Sequence, residues 1–172
     1  MRAEIVKAAR SHLDVREDVS KNKDSRGYID KFFLDGVKWS QSDRNKNKDA
    51  SWCAAFASYC VRKAHESQNR PLPVELHAHG GELKKNLEKA GLYIPVEEAT
   101  SPDGRKPRPG DFVVYKINHI GLVESFDPNT HKLTTIEGNT NKTGNEADDG
   151  VYQIQPRNLS NIAGFGIIDP AP

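Results

Sequence analysis

The chain has 172 residues, enough for one domain with a real core and too few for several. Its formal charge of +1, from 25 Lys and Arg against 24 Asp and Glu, gives no ground for nucleic-acid binding or for a strongly anionic partner. No stretch approaches the roughly 20 apolar residues that cross a bilayer, and the opening MRAEIVKAARSHLDVRE carries charge throughout instead of the apolar middle of a signal peptide. Synthesis and folding in the cytoplasm are therefore expected. The apolar residues, 35% of the chain, fall in short patterned runs, as in a folded domain with long solvated loops.

Residues 2–13 read as a helix with Ile5, Val6, Ala9 and Leu13 on one face. RGYIDKFFLD, residues 26–35, reads as a second short helix stopped by Gly36. SQSDRNKNKDAS is polar and without period, and is expected to be a solvated loop. SWCAAFASYCVRKAHE, residues 51–66, is the clearest helix: Ser51 is placed to cap it, and Cys53, Phe56, Ala57, Cys60, Val61 and Ala64 share a helical spacing. After the turn NRPLP, residues 79–90 form another helix with Leu83 and Leu87 inward and Gly91 as its stop. Beyond residue 108 the period changes. DFVVYKI, HIGLVESF, KLTTIEG, VYQIQP and IAGFGIID read as strands, the second and third joined through DPNT as a hairpin. Helices first and strands second predict an α+β fold, one domain over 1–172, with a helical half at about 1–99 and a sheet half at about 108–170.

The two cysteines stand seven apart on one predicted helix, roughly 10 Å between Cα atoms, too far for a disulfide. They also fit no zinc pattern, so no metal or other cofactor is expected. Cys53 occupies the first helical turn, where free amide N–H groups and the helix dipole favour a thiolate; Cys60 lies mid-helix on the packed face. A thiolate nucleophile needs a base. His119 opens an apolar strand, whereas His12 and His65 sit near helix ends, His77 and His79 in a loop, and His131 in the hairpin turn. In TTIEGNT, Glu137 and Asn139 are two apart and so are expected on one face of the strand next to His119. There Glu137 would accept the Nδ1 proton of His119, and Asn139 would orient the ring or hold substrate. Residue types and spacing thus predict a cysteine hydrolase, with Cys53 as nucleophile and His119 as base.

SWCAAF, PGDFVVY, HIGLVESF and TIEGNT, in this order, resemble the CHAP amidase/peptidase group of the papain-like NlpC/P60 superfamily, over about residues 50–168. The resemblance implies N-terminal helices packed on a small antiparallel sheet, and hydrolysis of a peptidoglycan amide bond, as an N-acetylmuramoyl-L-alanine amidase or a stem or cross-bridge endopeptidase. It carries nucleophile onto Cys53, base onto His119, orienting carboxylate onto Glu137 and polar partner onto Asn139. GNTNKTGNEADDGVYQ is further similar to single-domain CHAP-like phage lysins and secreted antibacterial effectors. Where some members hold calcium on aspartates before the Cys, this chain has RNKNKDAS, so no calcium is expected there, and no separate wall-binding domain is expected within the 172 residues.

The expected reaction is acyl transfer. The Cys53 N–H would stabilise the oxyanion, Ser51 and Trp52 are candidates for a second donor, and residues 37–50 and 139–150 would rim the cleft. Expected partners are peptidoglycan and, for an effector, an immunity protein. A monomer is expected, without nucleic acid or membrane insertion, acting in the periplasm or on the wall after delivery by a holin or a secretion system. The alternatives are a papain-like protease or transferase acting on proteins, and a non-catalytic wall-binding module.

Overall fold

The computed structural model describes residues 1–17, 24–143 and 150–169. Helix α1 (Arg2–Arg10) buries Ile5 and Ala9. Helix α2 (Asp24–Lys31) runs directly into a π-helical turn, Phe32–Gly36, so the helix expected over 26–35 starts earlier and ends wider. Gly36 permits this turn to lie on the next long helix: a Cβ there would stand 2.8 Å from the Tyr59 Cβ.

The segment expected to be a solvated loop contains helix α3 (Gln41–Lys46). Its signal is a capping box: the Ser40 hydroxyl accepts from the Asp43 N–H while the Asp43 carboxylate accepts from Ser40. The aperiodic composition concealed it because this helix buries only Arg44, whose guanidinium bonds Asp30 at 2.7 Å and lies over the Phe33 ring.

Helix α4 (Cys53–Ser67) forms the spine of the helical layer. Phe56, Ala57, Cys60, Val61 and Ala64 are all buried, and a side chain the size of Phe56 contributes about 1.5–3 kcal/mol by that burial. Helix α5 (Gly80–Lys89) points Leu83 and Leu87 inward and stops at Gly91, whose φ of +68° suits glycine. The Leu92 N–H closes the end on the Leu87 carbonyl at 2.9 Å. The helical half is not wholly helical: strand β1 (Tyr93–Pro95) joins the sheet before a one-turn helix, α6 (Val96–Thr100). Three residues are too few to show a strand period, and only pairing with the last strand reveals them.

The sheet continues with β2 (Phe112–Tyr115), β3 (Ile120–Phe126), β4 (Leu133–Thr140), β5 (Gly150–Arg157) and β6 (Ile162–Gly166). Its six strands are all antiparallel, in the order β1-β6-β2-β3-β4-β5. The DPNT turn joins β3 to β4, with the Asp127 carboxylate accepting from Asn129 N–H at 2.9 Å and Thr130 Oγ1 at 2.6 Å. Alternation divides the core. Phe112, Val114, Ile120, Leu122 and Ile136 face α1 and α4, while Val113, Tyr115, Val123, Leu133 and Phe165 build the opposite face with Ala99 of α6. This is the expected α+β, papain-like arrangement. Asp111, fully buried before β2, ties the two layers together by accepting from Arg2 at 2.7 Å and from the Ile168 N–H at 2.9 Å.

Candidate active site

Three elements converge at one end of the sheet. Cys53 is the first residue of α4, and Trp52 is the N-cap with no side-chain cap of its own. The expectation that Ser51 caps α4 fails. Ser51 lies one residue too early, and its hydroxyl instead sits 3.6 Å from Cys53 Sγ. Among the described residues no side chain caps the first amides of α4, which lie beside the thiol.

His119 ends the tight turn between β2 and β3. Its N–H donates to the Ile117 carbonyl at 2.7 Å, and its carbonyl accepts from the Tyr115 N–H at 3.1 Å. Asn118 pins this turn to the start of α5 by accepting from the Gly81 N–H at 3.2 Å. The imidazole is 2% exposed and hydrogen-bonds the Cys53 side chain.

Glu137 comes from the adjacent strand β4 and meets His119 Nε2 at 2.7 Å. The expected atom was Nδ1. With Nε2 on the carboxylate, Nδ1 is the nitrogen that faces Cys53. Residue spacing alone carries no information about which edge of the ring is presented. Gly121 makes the room: a Cβ there would lie 2.6 Å from Glu137 Cγ.

Glu137 is wholly buried, and what keeps it charged was not visible in the sequence. Arg157 donates Nε to Oε1 at 2.8 Å and Nη2 to Oε2 at 2.7 Å, a two-point clamp. Tyr115 Oη donates to Oε1 at 2.5 Å, and the Thr135 hydroxyl donates to the same oxygen. Arg157 also lies over the Tyr115 ring, 4.7 Å from its centroid. Arg157 reads in isolation as a strand-end charge. Its role depends on β5 lying beside β4, a pairing that joins Leu133 to Arg157 and Glu137 to Tyr152 across a register shift.

Asn139 does not share Glu137's surroundings. The register of β4 shifts between Glu137 and Thr140, and Asn139 adopts φ +58°, so strict alternation is lost. Its Nδ2 donates to Ser51 Oγ at 2.9 Å, and among the described residues its buried Oδ1 has no hydrogen-bond partner. Asn139 therefore reaches the thiol's side of the site through Ser51.

Electrostatics follow from this geometry. Burial pushes the Cys53 thiol up, but the hydrogen bond and charge of His119, with a further bond from Ser51, outweigh it and bring the thiol below its ordinary value. Burial pulls the His119 imidazole down, and the bonds and charges of Cys53 and Glu137 reverse this and raise it to about 10. Glu137, pushed up by burial, is held at about 2 by His119 and Arg157. Both shifts favour the charged forms, a thiolate at Cys53 and an imidazolium at His119 whose Nε2 rests on the Glu137 carboxylate.

Cys60, wholly buried in the core, has its thiol pushed up by desolvation. The other histidines are engaged elsewhere. His12 packs on Phe32 and Tyr59, His65 bonds the Pro71 carbonyl, His77 accepts from the His79 N–H, and His131 stacks on Phe126. The Trp52 indole N–H is taken by Glu17 at 3.1 Å. Two recesses border the site, one at Ser51 and Asn139 and one at His119. A recess of about 100 Å³ lies among Glu17, Asp49, Ser51, Trp52 and Asn139, and a groove of about 260 Å³ is lined by Gly80, Lys84, Tyr115, Asn118 and His119. The first includes part of the expected 37–50 rim; half of the expected 139–150 rim, residues 144–149, lies outside the described residues. Among the described residues no group of three or more His, Cys, Asp or Glu is arranged to hold a metal ion, and no helix is long and apolar enough to cross a membrane.

No curated protein and no solved structure matches the chain with significance. A family model described as the CHAP domain matches residues 44–139, a span that takes in α4, His119, Glu137 and Asn139. That span is more than half of the chain, and the protein belongs to the CHAP domain family of peptidoglycan-related amidases and peptidases.

Proposed function

We propose that this protein hydrolyses an amide bond of peptidoglycan, with Cys53 as nucleophile, His119 as general base and acid, and Glu137 as the group that orients and charges the imidazole. The observation that carries the proposal is the continuous row from a thiol at a helix start, through His119, to a buried carboxylate 2.7 Å from Nε2.

The Cys53 thiolate attacks the carbonyl carbon, forming a C–S bond and a tetrahedral oxyanion. The Cys53 N–H is the group placed to receive that charge, because the Trp52 indole is turned onto Glu17 and the Ser51 hydroxyl onto sulfur. As the C–N bond breaks, His119 passes its Nδ1 proton to the leaving amine. Water then attacks the thioester while His119 takes up one of its protons, the C–S bond breaks to regenerate the thiolate, and the acid product gives its remaining proton to solvent and leaves as a carboxylate. Through both steps Glu137 accepts the Nε2–H and stabilises the imidazolium.

The scissile bond is either the amide between muramic acid and L-alanine or a peptide bond of the stem or cross-bridge. Purified sacculi digested with the protein and analysed by muropeptide mass spectrometry distinguish these bonds. The wild type is expected to release new muropeptides or free amines, and Cys53→Ala, correctly folded by circular dichroism, to release none. Undiminished release by Cys53→Ala would sink the proposal.

A further inference from the structure

We infer that Ser51 is a positioning residue for the Cys53 thiolate: its hydroxyl donates to Sγ, and the Asn139 amide, donating to the same hydroxyl oxygen, keeps that proton aimed at sulfur. The inference rests on Cys53 being the nucleophile proposed above, and it gives Asn139 a task other than orienting the imidazole.

A hydroxyl carries one proton and two lone pairs. Asn139 Nδ2 approaches Ser51 Oγ at 2.9 Å and donates, so it occupies a lone pair and cannot accept the proton. The other partner of Ser51 Oγ is Cys53 Sγ at 3.6 Å, within the normal reach of an O–H···S bond, and the single proton is left for it. Asn139 and Cys53 are buried, at 6% and 2% exposure, while Ser51 between them is exposed, so the hydroxyl links two buried groups from the solvent side. A donor aimed at sulfur stabilises the charged form of the thiol.

Two local departures from ordinary structure serve this arrangement. Serine next to a helix start commonly spends its hydroxyl on the first free amides, yet α4 has no side-chain cap, and Ser51 serves sulfur instead. Asn139 leaves the regular strand for φ +58° at a register shift. Asparagine tolerates that conformation better than most residues, and the kink carries its amide from β4 across to the segment before α4. If the amide were turned the other way, Ser51 would donate to Oδ1 and offer sulfur only a lone pair, which would disfavour the thiolate. The two orientations thus predict opposite effects of removing the hydroxyl.

The test uses the full chain and four variants: Ser51→Ala, Ser51→Thr, Asn139→Gly, which keeps the left-handed backbone unstrained while deleting the amide, and the double variant. Iodoacetamide alkylation of Cys53 is followed against pH by peptide mass spectrometry, with the Cys60 peptide as internal reference and thermal melts as a check on folding. Ser51→Ala is expected to move the alkylation midpoint up by about 1 pH unit, the size of one hydrogen bond to a charged group. Ser51→Thr should restore the wild-type midpoint. Asn139→Gly should move it upward, and the double variant no further than Ser51→Ala alone. A midpoint in Ser51→Ala equal to or below wild type overturns the inference while leaving the nucleophile in place. A wild-type Cys53 with no lowered midpoint overturns both.

Discussion

Replacing Glu137 by Gln changes one atom of the site and should disable it. The carboxylate accepts from His119 and Arg157 at Oε2, and from Arg157, Tyr115 and Thr135 at Oε1. A glutamine has one acceptor oxygen, and its NH₂ must meet donors on the other side. If its oxygen keeps the three donors at Oε1, its amine faces His119 Nε2, which can accept only in the neutral tautomer protonated at Nδ1. The proton then already sits on the nitrogen that should take it from Cys53. Loss of a charge-assisted bond of about 1.5–3 kcal/mol corresponds to about 1–2 pH units in the thiol–imidazole equilibrium. With the wrong tautomer added, turnover should fall by about 10²-fold or more. The variant should also be less stable by up to about 3–5 kcal/mol, because Arg157 loses its buried counter-charge. The assays are sacculus hydrolysis, Cys53 alkylation against pH and urea unfolding. Unchanged turnover together with an unchanged alkylation midpoint would refute the assignment of Glu137.

Three further outcomes follow from the geometry. Hydrolysis should show a bell-shaped pH dependence belonging to the coupled thiol–imidazole pair, its acid limb below the usual thiol value of 9.0 and its alkaline limb near 10, where His119 loses its proton. A thermal-melt series against pH should report both buried groups. His119, raised from 6.5 to about 10, contributes stability that is complete below 6.5 and lost as pH rises through 10; Glu137, lowered from 4.5 to about 2, contributes stability that is complete above 4.5 and lost as pH falls toward 2. Glu137→Gln should lack that acid-side loss. Gly138→Ala places a Cβ 2.6 Å from the Trp52 ring and 2.9 Å from Phe56 Cβ, which should destabilise the fold by about 1–3 kcal/mol, about 2–4 °C of melting temperature per kcal/mol.

The parts of this site that could be read in the sequence are those fixed by one element at a time. Cys53 at the head of a strongly patterned helix, His119 before an apolar strand and Glu137 on the partner of that strand all follow from local period and a tight turn. The parts that could not be read depend on how elements meet. Arg157 becomes the clamp of Glu137 only because β5 pairs with β4. The ring edge presented to Glu137 is Nε2, which residue spacing cannot specify. Asn139 follows the strand period in sequence and leaves it in space, because a bulge rotates its side chain toward Ser51. Helix α3 and strand β1 escaped for a related reason. One buries a single arginine and the other is three residues long, so neither has a hydrophobic period to detect.

The central claim is that turnover passes through the Cys53 sulfur, and it is tested most directly by graded alkylation. Wild-type protein is treated with increasing iodoacetamide; the fraction modified at Cys53 is read by peptide mass spectrometry, and hydrolysis of sacculi is measured on the same samples. Hydrolysis should fall in direct proportion to the unmodified Cys53 fraction, while Cys60, wholly buried, stays unmodified. Hydrolysis that survives complete alkylation of Cys53 would contradict the account.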